Sequence, residues 1–336
     1  MSVKILVVDP IGERGHEKFN KFTLDLLSSF CDIEFLTTEK YSVISDGICK
    51  SSIFPISLLD KLDNKYMSRV LLYLRSQYAI DYFWENNFDI IYFLTYETIS
   101  LSLLSLDKVN IWVHDHNNID DIQGSKIKTY YFSRLSRKVV HIVYEEYMAD
   151  FISEKYGGDA YTIPHPSFLD EEAVMYLGGE DDIVFSPSGT YDPQVMDELE
   201  MSASKLGFYL WAKSDSDSES EYVIKRRYFD DYEESIKKSS VVFIINNINY
   251  RISGVMYEAL AYGKTVVGID SKFLQALEKQ YRGLVYIIKD VSDIRIQDFE
   301  TWIGNDEREE SFNNFIHGHS RESVNRAYKN LMSRYV

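Results

Sequence analysis

The chain is poor in cysteine and proline, and it has too few basic residues to balance its acidic ones. Of its 336 residues two are cysteine, Cys31 and Cys49, and six are proline. Two cysteines cannot build a disulfide framework, so a reducing compartment, the cytoplasm, is expected. The formal net charge of −17 argues against a nucleic-acid-binding surface and against direct adsorption to an anionic membrane.

Long hydrophobic runs are also missing. No apolar stretch approaches the roughly 20 residues of a membrane-spanning helix, and the start of the chain lacks the layout of a signal peptide. At most peripheral membrane contact is expected, because the amphipathic stretch Lys61–Arg75 is typical of a helix packed on its own sheet. A chain of 336 residues fits two α/β domains of about 150 residues each.

Short apolar, β-branched runs alternate with helical stretches along both halves of the chain. The predicted strands are Lys4–Val8, Asp32–Leu36, Asp89–Leu94, Val109–Val113, Val139–Tyr144 and Ala160–Ile163, then Ile183–Phe185, Val241–Ile245 and Thr265–Ile269. The predicted helices include Glu17–Phe30, residues 60–85, Asp230–Ser239 and Glu310–Arg334, the last interrupted near Gly318. Such alternation predicts parallel sheets with helices on both faces, and ligands then bind beyond the carboxyl ends of the strands.

The most informative segment is Asn249–Asp270, with the sequence NYRISGVMYEALAYGKTVVGID. It predicts a loop, then a helix with Ser253 as N-cap and Gly254 at its start, then a tight turn and a buried strand. A helix N-terminus with Arg251 beside it is suited to bind phosphates. Glu258 lies one turn inside on the same face as Gly254, where a carboxylate can accept both hydroxyls of a ribose. These features together predict a nucleotide-sugar site; the alternative is a solvated Glu258 that pairs with Lys264.

This segment resembles the donor-binding motif of glycosyltransferases with the two-domain GT-B fold, especially those of family 4. The residues that match the second half of the motif are Glu258, Ala259, Leu260, Ala261, Gly263, Lys264, Val266 and Val267. Tyr250 stands where the family has its first glutamate, beside the donor sugar. The resemblance implies an α/β fold of two Rossmann-like domains facing across a cleft. It assigns residues 1–166 to an acceptor-side domain, 167–310 to a nucleotide-sugar domain, and 311–336 to a C-terminal helix that returns to the first domain.

The resemblance also implies roles for the donor-side residues. Ser253, Gly254 and Val255 would hold the diphosphate, and Glu258 the ribose. A second loop stands where the family has a glycine and an arginine that face the diphosphate, and its candidate ligands are Ser188, Gly189 and Thr190. That arginine and a lysine that usually follows are missing here, and Arg251 is the substitute cation. Val223–Arg226 resembles the short strand and turn that passes the nucleotide base.

Two loops of the first half carry histidines at strand ends. In the loop Asp9–His16, Gly12 and Gly15 allow close backbone approach, and the loop looks like the acceptor-facing loop of GT-B enzymes. His16 would lie at the start of the next helix, either as a base for an acceptor hydroxyl or as a simple cap. His114 follows the strand that ends at Val113. In the resembled family a histidine at this strand end contacts the donor sugar or its phosphates, and a structural polar turn is the alternative.

Metal binding is a competing interpretation of the second loop. The tripeptide His114-Asp115-His116, with Asp120 and Asp121 nearby, offers ligands of the right type. No second cluster supplies further ligands at a recognisable spacing, so neither a metal nor another cofactor is expected. The acidic, serine-rich stretch Lys213–Glu221 contains an Asp-X-Asp sequence that mimics a metal motif, and we interpret it as a flexible charged loop.

The resemblance implies a glycosyltransferase that moves a sugar from a nucleotide-diphosphate sugar, such as a UDP-sugar, to a glycan, a lipid-linked or a protein-linked acceptor in polysaccharide or glycoprotein assembly. It further implies retention of the anomeric configuration without a metal, with His114 orienting the donor. Inversion with His16 as base is the alternative. A nucleotide-sugar 2-epimerase or hydrolase, and a non-catalytic nucleotide-sugar-binding partner of another transferase, are the competing functions. The oligomeric state stays open.

Overall fold

The chain folds as two separate α/β units. The computed structural model describes residues 2–12, 16–55, 65–168, 183–187, 193–245 and 249–335. One compact unit contains Met1–Pro166 together with Arg321–Val336, and the other contains Ser167–Ser320. Each unit is built around one seven-stranded sheet, so the predicted α/β class with two Rossmann-like domains is confirmed.

The sheet of the first unit is parallel throughout its described pairings. Its strands are β1 (Lys4–Asp9), β2 (Asp32–Thr37), β3 (Lys50–Ile53), β4 (Ile90–Phe93), β5 (Ile111–His114), β6 (Val140–Val143) and β7 (Asp159–Thr162), in the order β3-β2-β1-β4-β5-β6-β7. Its first helices are α1 (Glu17–Ser28), α2 (Lys65–Glu85), α3 (Thr98–Ser102), α4 (Asn118–Gln123), α5 (Lys126–Leu135) and α6 (Glu146–Tyr156), with a 3-10 helix at Glu39–Ser45. The part of the predicted second helix before residue 65 lies outside the described residues.

Continuous apolar runs explain the central strands. All four residues of β4 and residues 5–8 of β1 are fully buried, as expected for strands covered by helices on both faces. The strand order reverses between β1 and β4, and this reversal opens a crevice at their carboxyl ends. Loops that follow β1, β4 and β5 are therefore the candidates for ligand binding in this unit.

The second unit also contains a seven-stranded sheet, and one edge strand of this sheet is antiparallel to its neighbour. Its strands are β8 (Ile183–Ser186), β9 (Tyr209–Lys213), β10 (Ser218–Glu219), β11 (Val223–Arg226), β12 (Val241–Ile244), β13 (Thr265–Ile269) and β14 (Val285–Ile288), in the order β10-β11-β9-β8-β12-β13-β14. Its helices are α7 (Pro193–Leu206), α8 (Tyr232–Lys238), α9 (Gly254–Ala261), α10 (Lys272–Gln280), α11 (Ile296–Ile303) and α12 (Arg308–Gly318), with a 3-10 turn at Val291–Asp293. The reversal point lies between β8 and β12.

The stretch Lys213–Glu221 contains a short strand. It contains β10, which pairs antiparallel with β11 and forms the edge of the sheet. Glu219 accepts a hydrogen bond from the Arg226 guanidinium at 2.7 Å, and Asp217 accepts one from the Arg227 amide at 2.8 Å. The predicted loop therefore contains a two-residue edge strand, and Arg226, seven residues after Glu219, forms an ion pair with it.

The C-terminal helices are divided between the units. Helix α12 ends at Gly318, close to the predicted interruption, and lies in the second unit. The last helix, α13 (Arg321–Met332), lies in the first unit, where Val324, Tyr328 and Leu331 are buried. Among the described residues, no helix combines the length and the apolar character needed to span a membrane.

Candidate functional site

Helix α9 begins at the carboxyl edge of the second sheet, where the strand order reverses. Ser253 occupies the N-cap position with extended backbone, but its side chain makes no capping hydrogen bond. The predicted cap position is therefore correct and the predicted cap bond is absent. The amides of Gly254 and Val255 belong to the first turn, whose N–H groups have no carbonyl partner within a helix. Arg251 is exposed beside this helix end.

Gly254 leaves open space at the start of α9. A methyl group built on its Cα would find no atom within 4 Å. The backbone is therefore accessible at this point, and the positive end of the helix dipole lies there. A phosphate is the ligand best matched to these exposed N–H groups.

Glu258 is partly buried one turn further along α9. Its Oε2 accepts a hydrogen bond from the Tyr232 hydroxyl at 2.9 Å. Tyr232 opens helix α8, and its ring packs edge-on against Phe185 of β8 with a centroid distance of 5.9 Å. Burial, and secondarily the neighbouring Glu258, raise the pKa of Tyr232, so the hydroxyl remains a donor at neutral pH.

Tyr250, which replaces the first glutamate of the resembled motif, serves to anchor the loop before α9. Its side chain is buried, and its hydroxyl accepts a hydrogen bond from the Lys272 Nζ at 2.5 Å. The same ammonium lies 4.7 Å from the centre of the Tyr250 ring. The Asn249 side chain also accepts a hydrogen bond from the Lys272 amide at 3.2 Å. The loop is thereby fixed to the start of α10.

The buried Lys264 follows α9 at the opposite end of the helix from Gly254. Burial, together with the nearby Arg308, lowers the pKa of Lys264 to about 8. The Arg308 guanidinium donates to the carbonyl of Gly263 at 3.1 Å. Four candidate residues, Gly15, Ser188, Gly189 and Thr190, lie outside the described residues.

In the first unit, Asp9 organises the loop that follows β1. Its fully buried carboxylate accepts hydrogen bonds from the amides of Ile11 and Gly12 at 3.2 and 3.0 Å, and from the Asn20 side chain at 2.9 Å. The Thr95 hydroxyl, which follows β4, also donates to it. Asp9 thus ties together the two strand ends at the reversal point.

Gly12 is required in this loop. Its φ is +66°, and a Cβ there would lie 2.6 Å from the ring of Tyr41. Gly12, which was predicted to allow close backbone approach, allows the loop backbone to lie against the Tyr41 ring.

Histidine and tyrosine rings cover the carboxyl ends of β5, β6 and β7. The His114 and His116 rings stack with a centroid distance of 4.5 Å, and the His16 ring meets His116 edge-on at 4.3 Å. Phe19 of α1 contacts both His114 and His116, at 4.8 and 5.1 Å. Because His114 is fully buried and His16 only partly, His16 is the member of the predicted pair nearest to solvent.

Tyrosine hydroxyls fix the two buried histidines. The Tyr92 hydroxyl lies 2.5 Å from His114 Nδ1 and 2.9 Å from the Tyr328 hydroxyl on α13. The Tyr144 hydroxyl lies 3.0 Å from His116 Nδ1. Among the described residues, His114 Nε2 is buried without a hydrogen-bond partner.

Burial determines the protonation of this group. It lowers the pKa of His114 and His116 well below 6.5, and the neighbouring histidines lower both further. Burial also raises the pKa of Tyr92 and Tyr144 well above 10. The His16 neighbourhood is therefore lined by neutral rings at physiological pH.

Asp115 points away from these rings, as expected for the middle residue of an extended tripeptide. Its carboxylate accepts from Tyr96 at 2.5 Å and bonds His141 Nδ1 at 2.6 Å. Across the described parts of the chain, no group of three histidine, cysteine, aspartate or glutamate side chains is arranged to hold a metal ion. The competing metal interpretation of residues 114–121 is thus not supported by this geometry.

The sequence interpretation missed several of these residues. Tyr232, Tyr92 and Tyr144 were not singled out among the 26 tyrosines of the chain, and Asp9 was regarded only as the start of a loop. A usable signal existed for Asp9, because a polar residue directly after a central buried strand lies at the reversal point of this fold. No local signal identifies the tyrosines.

No protein-family model and no curated protein sequence matches the chain. Solved structures do. Sucrose-phosphate synthase from Thermosynechococcus elongatus matches with a TM-score of 0.71 at 12% identity, covering 99% of this chain and 98% of its own. HepE from Anabaena in complex with UDP matches with 0.69 at 14% identity, over 99% and 100%. A glycosyltransferase from Rickettsia africae matches with 0.67 at 11% identity, over 99% and 98%. The fold is that of GT-B glycosyltransferases.

Proposed function

We propose that the protein is a glycosyltransferase that uses a nucleotide-diphosphate sugar, with a UDP-sugar as the first candidate. The observation that carries this proposal is the arrangement at the start of α9. This helix end combines three features: Arg251 is exposed, the backbone at Gly254 is accessible, and the Glu258 carboxylate is held by a hydrogen bond. Structures with this fold include HepE solved with UDP and also with UDP and glucose.

Each part of this helix end matches one part of a nucleotide diphosphate. The amides of Gly254 and Val255 and the Ser253 hydroxyl face the phosphates, with the exposed Arg251 as the cation. The Glu258 carboxylate lies one turn away and accepts from the ribose hydroxyls. Helix N-terminus and arginine together offset the charge that develops on the leaving diphosphate, so the proposed reaction needs no metal.

The first unit supplies the acceptor side of the proposal. His16 is the partly exposed ring in a group of buried ones, and the acceptor loop that precedes it is held by Asp9. The proposed acceptor is a glycan, a lipid-linked or a protein-linked sugar in surface polysaccharide or glycoprotein assembly. The proposed location is the cytoplasm, and the low cysteine count supports it.

Calorimetric titration of UDP, ADP, GDP and their common sugar conjugates tests the donor site. Glu258→Ala removes the ribose acceptor and should weaken the best ligand about 30- to 100-fold, corresponding to roughly 2–3 kcal/mol. The matched control is Glu278→Ala, a partly exposed glutamate on α10, and it should bind as the wild type does. Unchanged affinity of Glu258→Ala for every nucleotide would refute the site.

Stereochemistry separates two mechanisms. Retention assigns His114 an orienting role, so His114→Ala should cost more activity than His16→Ala, and the product should keep the anomer of the donor. We propose retention. An inverted product, together with loss of activity in His16→Ala, would instead identify His16 as the base for the acceptor hydroxyl.

One observation favours a second function, a nucleotide-sugar-binding partner without activity of its own. The Tyr250 hydroxyl accepts a hydrogen bond from Lys272, and Tyr250 stands where the resembled motif has a glutamate. Such a protein would bind the nucleotide and form no product with any acceptor unless a second transferase is added. Turnover of the nucleotide sugar without an acceptor would instead identify a 2-epimerase or a hydrolase.

A further inference from the structure

We infer that Tyr232 is a positioning residue for Glu258, and that it gives the nucleotide site its selectivity for ribose over deoxyribose. This inference rests on the proposed function, because it concerns the same site. It adds a residue that lies outside the matched segment and on a different helix.

A hydrogen bond from the first residue of α8 reaches Glu258 on α9. Tyr232 is the first residue of α8, and its hydroxyl donates to Glu258 Oε2 on α9 at 2.9 Å. Its ring is held on the sheet by a cluster of Phe185, Ile236 and Tyr262, with Phe229 and Trp211 beside them. The donor hydroxyl therefore projects from an anchored ring.

A glutamate that is only partly buried has three side-chain torsions to fix before it can hold a ligand. Ordering such a side chain on binding weakens affinity, and a preformed hydrogen bond removes most of that loss. A carboxylate has about four acceptor positions, so the bond from Tyr232 fixes its direction without using up its capacity. The same carboxylate can then accept from vicinal hydroxyls.

The protein contains its own control for this bond. Tyr262, at the end of α9, donates to Glu233 Oε1 on α8 at 2.6 Å. The two tyrosine–glutamate bonds join the same pair of helices in opposite directions. Tyr262→Phe therefore removes an equivalent bond between α8 and α9 without touching Glu258.

The experiment compares UDP with 2′-deoxy-UDP and 3′-deoxy-UDP on the full chain by calorimetry, or the corresponding adenosine or guanosine set if that diphosphate binds wild type best. Wild type should prefer the ribose form about tenfold or more, the value of one hydrogen bond to a charged group. Tyr232→Phe should reduce this preference to less than threefold while changing affinity for the deoxy forms less than twofold. Tyr262→Phe should keep the wild-type preference.

A second measurement separates positioning from general damage. In a Glu258→Ala background, Tyr232→Phe should have no further effect on UDP affinity, because the residue acts through Glu258. Full ribose preference in Tyr232→Phe, or equal weakening of ribose and deoxyribose forms, overturns the inference while leaving the proposed donor site intact. A wild type that binds ribose and deoxyribose forms equally overturns the inference together with the ribose role of Glu258, and a wild type that binds no diphosphate overturns the proposed function as well.

Discussion

Both sheets contain a point where the strand order reverses, but the carboxyl edges at these two points differ in chemistry. In the first unit that edge is closed by buried histidine and tyrosine rings, held neutral by burial. In the second unit it presents an exposed helix start with Arg251 and space beside Gly254. The difference shows that a reversal point fixes where a site can form, while the residues after the strands decide which ligand it suits.

The two edges should also respond to different conditions. The stability of a cluster of neutral buried rings depends little on salt concentration, but it falls when the rings are protonated. An exposed helix start with an arginine binds anions, and that binding weakens as salt increases. Four perturbations test this contrast.

Acidification should have the largest effect, and it should fall on the first unit. The pKa of His114 and His116 is lowered well below 6.5, so the unfolded chain takes up protons on these rings that the folded protein does not. The stability that these two neutral histidines give the fold is fully present above pH 6.5 and is lost as the pH falls below that value. For each histidine the loss approaches about 1.4 kcal/mol per pH unit below pH 6.5 and ends where the pH reaches the lowered pKa of the folded protein.

Hydrogen exchange with mass spectrometry measures this loss unit by unit, after correction for intrinsic rates. Protection of β5 and β6 should fall over this window, while β12 and β13 serve as the internal control. His116→Phe should remove about half of the pH dependence. An equal loss of protection in both units would contradict the assignment to the histidines.

Asp9→Asn should give the next largest effect. An amide cannot accept all the hydrogen bonds that Ile11, Gly12, Asn20 and Thr95 donate, and one of its N–H groups must face a donor. We expect a loss of about 2–3 kcal/mol in the stability of the first unit. Nucleotide affinity should not change. The control is Asp89→Asn, an exposed aspartate that accepts from the Lys4 amide at the other end of β1, which should cost less than 1 kcal/mol.

Gly254→Ala should separate folding from binding. Because a Cβ meets no atom there, the fold should tolerate it and gain up to about 1 kcal/mol from the better helix propensity. The methyl group stands where a phosphate would approach, so UDP affinity should fall about tenfold. Gly124→Ala is the matched control, since a Cβ there also meets nothing, and it should leave UDP affinity unchanged. If Gly254→Ala binds UDP as tightly as the wild type does, the diphosphate does not bind at the start of α9.

Tyr250→Phe should have the smallest effect. The ring stays buried, and the lost hydrogen bond joins it to an exposed lysine, so stability should fall by less than about 1 kcal/mol. Nucleotide affinity and turnover should change less than threefold. A tenfold loss of turnover would show that this hydroxyl acts on the donor, as the family's glutamate does, and not merely on the loop.

Local signals predicted the helix and the strand at the second edge. A serine, a glycine and an apolar face predicted α9, and β13 has the predicted bounds Thr265–Ile269. Alternating apolar runs predicted the parallel sheets, because buried strands are continuous in sequence. What the sequence could not show is the partner of Glu258, since Tyr232 lies 26 residues earlier and meets it only after α8 and α9 have packed.

The first edge was harder to predict. The sequence did not predict that Phe19 of α1 and Tyr144 after β6 pack against His114. Tyr92 reaches His114 because β4 and β5 pair with Tyr92 opposite Trp112, a register that no local pattern encodes. Such contacts depend on strand order, and strand order is a property of the whole sheet.

The chain path makes the second unit an insertion within the first, and the two ends of this insertion touch. The amide of Ser167, the first residue of the second unit, donates to the carbonyl of His319, the last residue but one, at 3.0 Å. Residues 167–320 therefore have the adjoining termini of a self-contained domain, and excising them leaves a gap that a short linker can close. The chain passes between the two units twice, once after Pro166 and once after Ser320, so one continuous segment forms the whole second unit.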